Sequence, residues 1–212
     1  MYSISSNEAK MVVHCNFEKL FTEVSGQGYD TPFYMDLKPE LSQINSTTIQ
    51  VKFSFMAKMD QIKSLIDSSH SCFQTFRFDC KMAPLMAQTA RWIDPSGNPQ
   101  HFWHGNDPND QRCQCGFEGS CPTMCNCNQK LPDWSIDTGI ISAKSLLPVT
   151  AFQYGPLSDE MKKARVTFSS LKCSGLANNS RFRCDLQGIC LVKLSTLNDK
   201  HTDFMLDHRD HP

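Results

Sequence analysis

Residues 111–128 read QRCQCGFEGSCPTMCNCN and hold five of the eleven cysteines in this 212-residue chain. The segment shows neither the helical nor the strand period of hydrophobic residues. The wider stretch 105–134 is rich in Asn, Asp, Pro, Gly and Cys and could not bury a core of its own. We therefore expect residues 105–134 to be a long surface loop. Crosslinks would hold it, since each offsets about 2–4 kcal/mol of the entropy lost when such a loop becomes ordered.

The cysteines allow two interpretations, a disulfide framework or a metal cluster. Eleven cysteines are dense for a cytosolic protein, whose thiols are kept reduced. A structural zinc site typically has about two to four residues between paired cysteines. The pairs Cys113/Cys115 and Cys125/Cys127 have a single residue between them. Disulfides are therefore favoured, and an intracellular zinc-cluster protein is kept as an alternative.

Composition limits the number of domains and the kinds of partner that the chain can have. The chain is 40% hydrophobic, enough for one sizeable core, so residues 1–196 are predicted to form one domain and residues 197–212 a flexible tail. A net charge of -1 lacks the surplus of cations that nucleic-acid binders carry. The longest apolar stretch, 139–147, is interrupted by Lys144 and is shorter than the roughly 18 residues of a membrane span. We therefore expect neither nucleic-acid binding nor a membrane span.

Hydrophobic periodicity predicts several strands and a short helix. Residues 48–55 alternate as in a half-buried strand, with one face formed by Ile49, Val51, Phe53 and Phe55. Residues 57–69 change to the helical period, with one face formed by Met59, Ile62, Leu65 and Ile66. Residues 72–80 read as a strand that leaves this helix, and residues 94–97 as a turn. Residues 181–194 read as a hairpin that turns at 185–188, and the aromatic group Trp92, Phe102 and Trp103 as core.

The cysteine-rich segment and the residues after it resemble a known family. Residues 131–150 read LPDWSIDTGIISAKSLLPVT. Together with residues 111–128 they resemble the fibrinogen-like segment of contactin-associated proteins, the neurexin IV group. The matching positions, in order, are Cys113, Cys115, Gly116, Gly119, Cys121, Cys125, Asn126, Cys127, Trp134, Asp137, Thr138, Gly139, Leu147, Pro148, Val149 and Thr150. Weaker anchors extend the resemblance over residues 2–176, but residues 104–108 replace a Gly-Gly-Ser-containing loop of the family.

The resemblance implies a fold and a function. The implied fold is α+β and fibrinogen C-terminal-like, a twisted, mainly antiparallel sheet with short helices and a disulfide-tied loop region. The implied role is non-enzymatic extracellular recognition or cell adhesion, within a larger secreted or membrane-anchored protein. The expected partner is a cell-surface or extracellular-matrix protein or a glycan, and the loop 105–134 is the first candidate contact.

The resemblance also suggests how the cysteines pair. Cys72 and Cys80 sit like the family's mid-domain pair. Cys184 and Cys190 have no match in the family, but they are close enough in sequence to close the predicted hairpin. Cys15 would pair with a cysteine upstream of Met1, so we expect it to carry a thiol in this chain. The six other cysteines allow 15 pairings, among which the sequence does not choose; they are Cys113, Cys115, Cys121, Cys125, Cys127 and Cys173.

Two further kinds of site are candidates. Asp107 and Asp110 offer hard oxygen ligands that suit calcium, and a calcium-dependent carbohydrate-binding lectin is therefore an alternative function. No other cofactor is expected. Asn45 and Asn178 stand in Asn-x-Ser/Thr triplets and are candidate glycosylation sites, as a secreted glycoprotein would have.

One triplet is typical of an enzyme. Asp137-Thr138-Gly139 matches the Asp-Thr-Gly of aspartic proteases, which need two such carboxylates to share a proton. The chain has no second copy of the triplet. We therefore interpret it as part of a turn before a strand and do not expect an enzyme.

Overall fold

Strands dominate the secondary structure. The computed structural model describes residues 10–16, 21–37, 48–155, 162–176, 181–184 and 189–193. The strands are β1 (Lys10–Asn16), β2 (Phe21–Val24), β3 (Gly26–Gln27), β4 (Phe33–Leu37), β5 (Ile49–Lys52), β6 (Ser54–Phe55), β7 (Ser69–Lys81), β8 (Ala90–Ile93), β9 (Pro99–Gln100), β10 (Ser135–Ile141), β11 (Ala151–Tyr154), β12 (Lys162–Phe168), β13 (Leu171–Leu176), β14 (Arg181–Cys184) and β15 (Ile189–Lys193). The helices are α1 (Met59–Ser68) and α2 (Gln114–Phe117), and two 3₁₀ turns span Asn126–Gln129 and Lys144–Leu146.

The 13-residue strand β7 organises the largest sheet. Strands β12 and β10 pair with the same part of β7 and therefore lie on its two opposite edges. Strand β13 pairs with the first part of β7, and the sheet continues from it through β2, β1, β15 and β14, while β4 pairs with β12 at the other end. Every pairing between these strands is antiparallel, as the family resemblance implies.

The core lies between this sheet and a smaller one of order β5-β11-β8-β9. Phe76 and Phe78 of β7 point inward, and the ring centroid of Phe78 is 6.0 Å from that of Phe152 on β11. The predicted aromatic core is confirmed, because Trp92, Phe102 and Trp103 are all fully buried. Such rings remove large apolar areas from water and so supply much of the stability of the domain.

The predicted helix and turn are also found. Helix α1 buries Ile62, Leu65 and Ile66, whereas Met59 at its first turn is more than a third exposed. In the turn over residues 94–97 the Asp94 carboxylate accepts hydrogen bonds from the backbone N–H groups of Ser96 and Asn98.

The predicted strand over residues 48–55 is divided in two. Strand β5 ends at Lys52, although Phe53 N–H still donates to the Thr150 carbonyl at 2.9 Å. Strand β6 then turns to a new partner, β3. A side chain at Gly26 would overlap the Ser54 carbonyl oxygen, so this short pairing requires glycine there.

Two sequence-based expectations are wrong. A Cys72–Cys80 bridge cannot form because both residues lie in β7, where eight residues span about 27 Å. Instead Cys72 is bridged to Cys173 and Cys80 to Cys127. The triplet Asp137-Thr138-Gly139 is not a turn before a strand but lies within β10.

The remaining fold expectations are tested in part. The hairpin is present as β14 and β15, whose backbone register sets Cys184 opposite Cys190, but their side chains and the turn 185–188 lie outside the described residues. The predicted tail 197–212 and both candidate glycosylation sites, Asn45 and Asn178, also lie outside them. None of the helices that the structure describes is long and apolar enough to cross a membrane.

Candidate functional site: the disulfide-tied loop and the outer sheet face

Three disulfides hold the cysteine-rich loop 105–134. Cys113 pairs with Cys125 and Cys115 with Cys121, so two crosslinks close within the loop itself. Cys127 pairs with Cys80 and ties the loop to β7. The loop also gains local order, since α2 and a 3₁₀ turn form between these crosslinks. Cys113, Cys125 and Cys127 are fully buried, so the base of the loop belongs to the core and its rim faces solvent.

Asp137 anchors the loop to the sheet. Its carboxylate accepts hydrogen bonds from the backbone N–H groups of Asn126 and Cys127, each at 2.8 Å. These groups begin the 3₁₀ turn, so Asp137 satisfies donors that have no partner within the turn. Burial raises the pKa of Asp137 above its ordinary value, although the two N–H groups oppose the shift. The carboxylate that looked like a protease residue therefore has a structural role.

Two close backbone approaches, in the loop and beside it, require glycine. A side chain at Gly139 would overlap the carbonyl oxygen of Trp103, and one at Gly116 would overlap the carbonyl oxygen of Met124. Glycine at these two positions lets the chain pass without a steric clash. The segment before the loop therefore crosses close to β10 at Gly139, and the loop packs closely on itself at Gly116.

The rim of the loop exposes apolar side chains. Phe117 is 57% exposed and Met124 is 55% exposed. The guanidinium of Arg112 lies 5.4 Å from the Phe117 ring centroid, and the His104 ring lies 5.1 Å from it. Exposed apolar groups on a rigid support are typical of interaction sites.

The two candidate calcium ligands already have partners within the loop. Asp107 accepts a hydrogen bond from the backbone N–H of Asn109 at 2.9 Å. Asp110 accepts from the Arg112 guanidinium through both carboxylate oxygens, and this hydrogen bonding lowers the pKa of Asp110. Calcium binding at Asp107 and Asp110 stays a prediction, and it would have to compete with these contacts.

The zinc alternative finds little support in the loop. Among the described residues, one group of three metal-ligating side chains is close enough to share an ion, namely Cys113, Cys125 and Asp137. The sulfurs of Cys113 and Cys125 form a disulfide and offer no thiolate, which is the form that binds zinc.

A second surface adjoins the loop. We call it the outer face, the side of β4, β12, β7 and β10 that points away from the core. Its side chains follow from strand alternation and register, and they are Tyr34, Thr75, Arg77, Asp79, Lys81, Ile136, Thr138, Ile140, Lys163, Arg165 and Thr167. One row across the four strands runs through Tyr34, Arg165, Asp79 and Ile136.

Asp79 is the centre of a charge network on the outer face. Its carboxylate accepts from Arg77 through both oxygens, at 2.7 and 3.1 Å, and Arg165 Nη2 lies 3.2 Å from it. Burial raises the pKa of Asp79, but the two guanidinium groups outweigh burial and hold it below its ordinary value. The Arg165 guanidinium lies 5.6 Å from the Tyr34 ring centroid and 5.4 Å from that of Trp134.

A cavity of about 380 Å³ opens on the same face. Its walls carry hydroxyl, amide and guanidinium groups, from Thr75, Arg77, Gln114, Thr138, Thr167 and Ser169. Asp30 lies at one end, where its carboxylate accepts from the hydroxyl and backbone N–H of Ser170. Thr138 Oγ1 donates to Gln114 Oε1 at 3.3 Å, so loop and sheet share this cavity.

The sequence identified the loop but not the outer face. The alternation of Lys163, Arg165 and Thr167 with buried residues was a local signal for one strand of the outer face. The rest of the surface depends on pairing between strands that are far apart in sequence, such as Tyr34 with Arg165. Cys15, for which a partner outside the chain was expected, has a buried side chain that hydrogen bonds with Thr22, and burial raises the pKa of its thiol.

Comparison with known proteins finds sequence similarity over about half of the chain. The chain is 34% identical to Neurexin-4 of Drosophila melanogaster over an alignment of 131 positions, which covers 54% of this chain and 10% of that protein. The chain therefore spans about a tenth of the length of this relative. No family model matches the chain. The similarity supports a neurexin-family-like domain, and together with the disulfides it suggests an extracellular or cell-surface location.

Proposed function

We propose that the chain is a non-enzymatic extracellular recognition module of the adhesion type. Residues 1–196 form its single domain with a fibrinogen C-terminal-like fold, and it belongs to a larger secreted or membrane-anchored protein. Its partner is a cell-surface or extracellular-matrix protein or glycan. The similarity to Neurexin-4 and the sheet-rich, disulfide-linked architecture support this proposal.

One observation carries the proposal. The loop 105–134 is held by three disulfides and still presents Phe117 and Met124 to solvent. Crosslinks reduce the entropy that a binding loop loses when it meets its partner, so a rigid loop binds more tightly than a mobile one. Disulfides of this kind also persist outside the cell, where thiols are oxidised.

The side chains that suggested catalysis are engaged in structural contacts. The Asp137 carboxylate accepts two backbone hydrogen bonds at the base of the loop. Eight cysteines are joined in disulfides, so they lack the thiolate that nucleophilic catalysis requires. These contacts favour recognition over chemistry at the loop.

A cell-binding assay tests the proposal. The full chain, labelled and assembled into tetramers for avidity, is expected to bind the surface of cells or matrix-coated wells. The double variant Phe117→Ala with Met124→Ala should lose most of this binding, because it removes the exposed apolar groups of the loop. Replacement of residues 106–112 by a Gly-Ser linker of equal length should weaken binding as well.

Met56→Ala is the matched control, because Met56 is 91% exposed and lies outside the loop. It should bind as the unchanged chain does. Binding that survives all changes in the loop would remove the loop from the proposal. Absence of binding to every cell type and matrix tested would contradict the proposed function itself.

A further inference from the structure

Four cations stand on the outer face. Lys163 and Arg165 project from β12, and Arg77 and Lys81 from β7. Lys163 stands opposite Lys81 in the register, so two cations share one row across the sheet. Like charges placed side by side destabilise a sheet, so this arrangement has a cost in the isolated chain.

A single carboxylate on these two strands faces the four cations. Asp79 contacts both Arg77 and Arg165, and its side chain is 6% exposed, so the charge that solvent meets here is positive. Asp36 of β4 is in register with Lys163, and Asp30 lies beyond the other end of the row of cations. On strands β7 and β12 themselves the four cations outnumber the one carboxylate, and we call Lys163, Arg165, Arg77 and Lys81 the cationic strip. Such a strip attracts anionic partners.

The strip has the shape of a line. Alternate residues of a strand lie about 7 Å apart, and neighbouring strands lie about 4.8 Å apart. The positions of Lys163, Arg165 and Arg77 therefore follow the strand direction over about 10–14 Å. A linear chain with regularly repeated negative groups can meet several of these cations at once.

Two aromatic rings hold the guanidinium of Arg165 in position. The Arg165 guanidinium lies over both the Tyr34 ring and the Trp134 ring, at 5.6 and 5.4 Å. Contacts of this kind orient a guanidinium and reduce the entropy lost on binding an anion. Trp134 is half exposed, so its ring also offers an apolar edge beside the charge.

The cavity adds hydrogen-bonding groups at the end of the strip. Arg77 belongs to both the strip and the cavity wall. The rest of the wall is mixed: Thr75, Thr138, Thr167, Ser169 and Gln114 contribute hydroxyl and amide groups, Phe76 and Ile140 contribute apolar surface, and Asp30 contributes a carboxylate. Hydroxyl and amide groups can both donate and accept, which suits the hydroxyl groups of a sugar. A run of cations next to such a wall fits a chain that carries both sulfates and hydroxyls.

We infer that the outer face binds a sulfated glycosaminoglycan chain. Sulfates pair with Lys163, Arg165 and Arg77, and a sugar residue lies against the hydroxyl-lined cavity. An acidic polypeptide also carries anions and backbone hydrogen-bonding groups, but a sulfated sugar combines sulfate and hydroxyl groups in each repeating unit, so the glycan is favoured. This inference rests on the proposed extracellular recognition role and names a partner class for it.

Binding of size-defined heparin oligosaccharides to the purified chain tests the inference. Lys163→Gln and Arg77→Gln should each weaken binding about fivefold, since each removes one cation that faces the polyanion. Lys52→Gln is the matched control, because Lys52 is an exposed strand lysine of the smaller sheet. The affinity of the unchanged chain should also fall as salt is raised. Circular dichroism confirms that each variant is folded.

Two comparison probes decide among the outcomes. A desulfated oligosaccharide of equal length should bind much more weakly, and polyglutamate should not compete at equal charge concentration. Equal losses for Lys163→Gln and Lys52→Gln would overturn the site. Competition by polyglutamate as strong as that by heparin would overturn the choice of a glycan and indicate an acidic polypeptide.

The same probe separates this inference from the proposed function. Heparin binding with purified components does not depend on a cell. If the chain binds cells but not heparin, the inference fails and the proposed function stands. If it binds heparin but neither cells nor matrix, the proposed function fails.

Discussion

Asp79 and Asp137 lie on neighbouring strands of the same sheet, yet two different environments hold them. Asp79 belongs to the outer face and is paired with the guanidinium groups of Arg77 and Arg165. Asp137 points to the other side, toward the cysteine-rich loop, and its carboxylate accepts hydrogen bonds from two neutral backbone N–H groups. The pKa of Asp79 is lowered and that of Asp137 is raised. Charge therefore organises the outer face, whereas crosslinks and backbone hydrogen bonds organise the loop.

Removal of disulfides should cause the largest losses of stability and should differ between the sheet and the loop. The Cys72–Cys173 bridge of the sheet spans 101 residues, the loop bridge Cys113–Cys125 spans 12 and the loop bridge Cys115–Cys121 spans 6. Loop-closure entropy predicts losses of about 4.7, 3 and 2 kcal/mol when each pair is changed to alanine. Denaturant unfolding of the three double variants measures this order. If removal of Cys115–Cys121 costs the most, the loop and not the sheet limits stability.

The two aspartates should respond to pH with opposite signs. Asp79→Asn should cost about 1.5–3 kcal/mol at pH 7, since it removes charge-assisted hydrogen bonds. The native pKa of Asp79 is depressed below 3.8, so its stabilising contribution is present above that pH and is lost as pH falls through the native pKa. The cost of Asp79→Asn should therefore shrink between pH 7 and pH 3, as thermal unfolding at both values would show.

Asp137→Asn should show the reverse trend. The native pKa of Asp137 is raised above 3.8, so its contribution is fully present below that pH and is lost as pH rises through the native pKa. The cost of Asp137→Asn should therefore be greater at pH 3 than at pH 7. Each variant serves as the control for the other, because the remaining carboxylates are common to both. The same pH trend in both variants would contradict the difference between the two environments.

Calcium should have the smallest effect. Arg112 already occupies both oxygens of Asp110, and a calcium ion would have to displace this partner. We therefore expect EGTA to leave the melting temperature and the cell binding of the chain unchanged. An Arg112→Gln variant makes the test sharper, because it frees the carboxylate. Chelator-sensitive binding by the unchanged chain would revive the calcium-dependent lectin.

Local sequence patterns predicted much of the fold. The helical period over residues 57–69 and the strand pattern over residues 72–80 were both found, because each element buries one face of its own residues. The loop 105–134 was also identified, since its composition excludes a core. The predicted bridge between Cys72 and Cys80 conflicts with strand β7, because eight residues of a strand separate the two by about 27 Å.

The outer face could not be predicted for a different reason. Its central row joins Tyr34, Asp79 and Arg165, which are separated by tens of residues along the chain. Their proximity depends on the register of two strand pairs, which follows from the packing of the whole core. The interpretation of Asp137-Thr138-Gly139 failed similarly, because the partners of Asp137 lie in the loop and those of Gly139 lie near Trp103.

Both proposals require that eight cysteines form four disulfide bridges. Peptide mapping of the unreduced protein tests this requirement most directly. The expected crosslinked peptides contain Cys72 with Cys173, Cys80 with Cys127, Cys113 with Cys125 and Cys115 with Cys121. Samples alkylated before digestion should show no label at these eight positions. Quantitative labelling of the five loop cysteines together with bound zinc, or a Cys72–Cys80 crosslink, would contradict the rigid, extracellular loop.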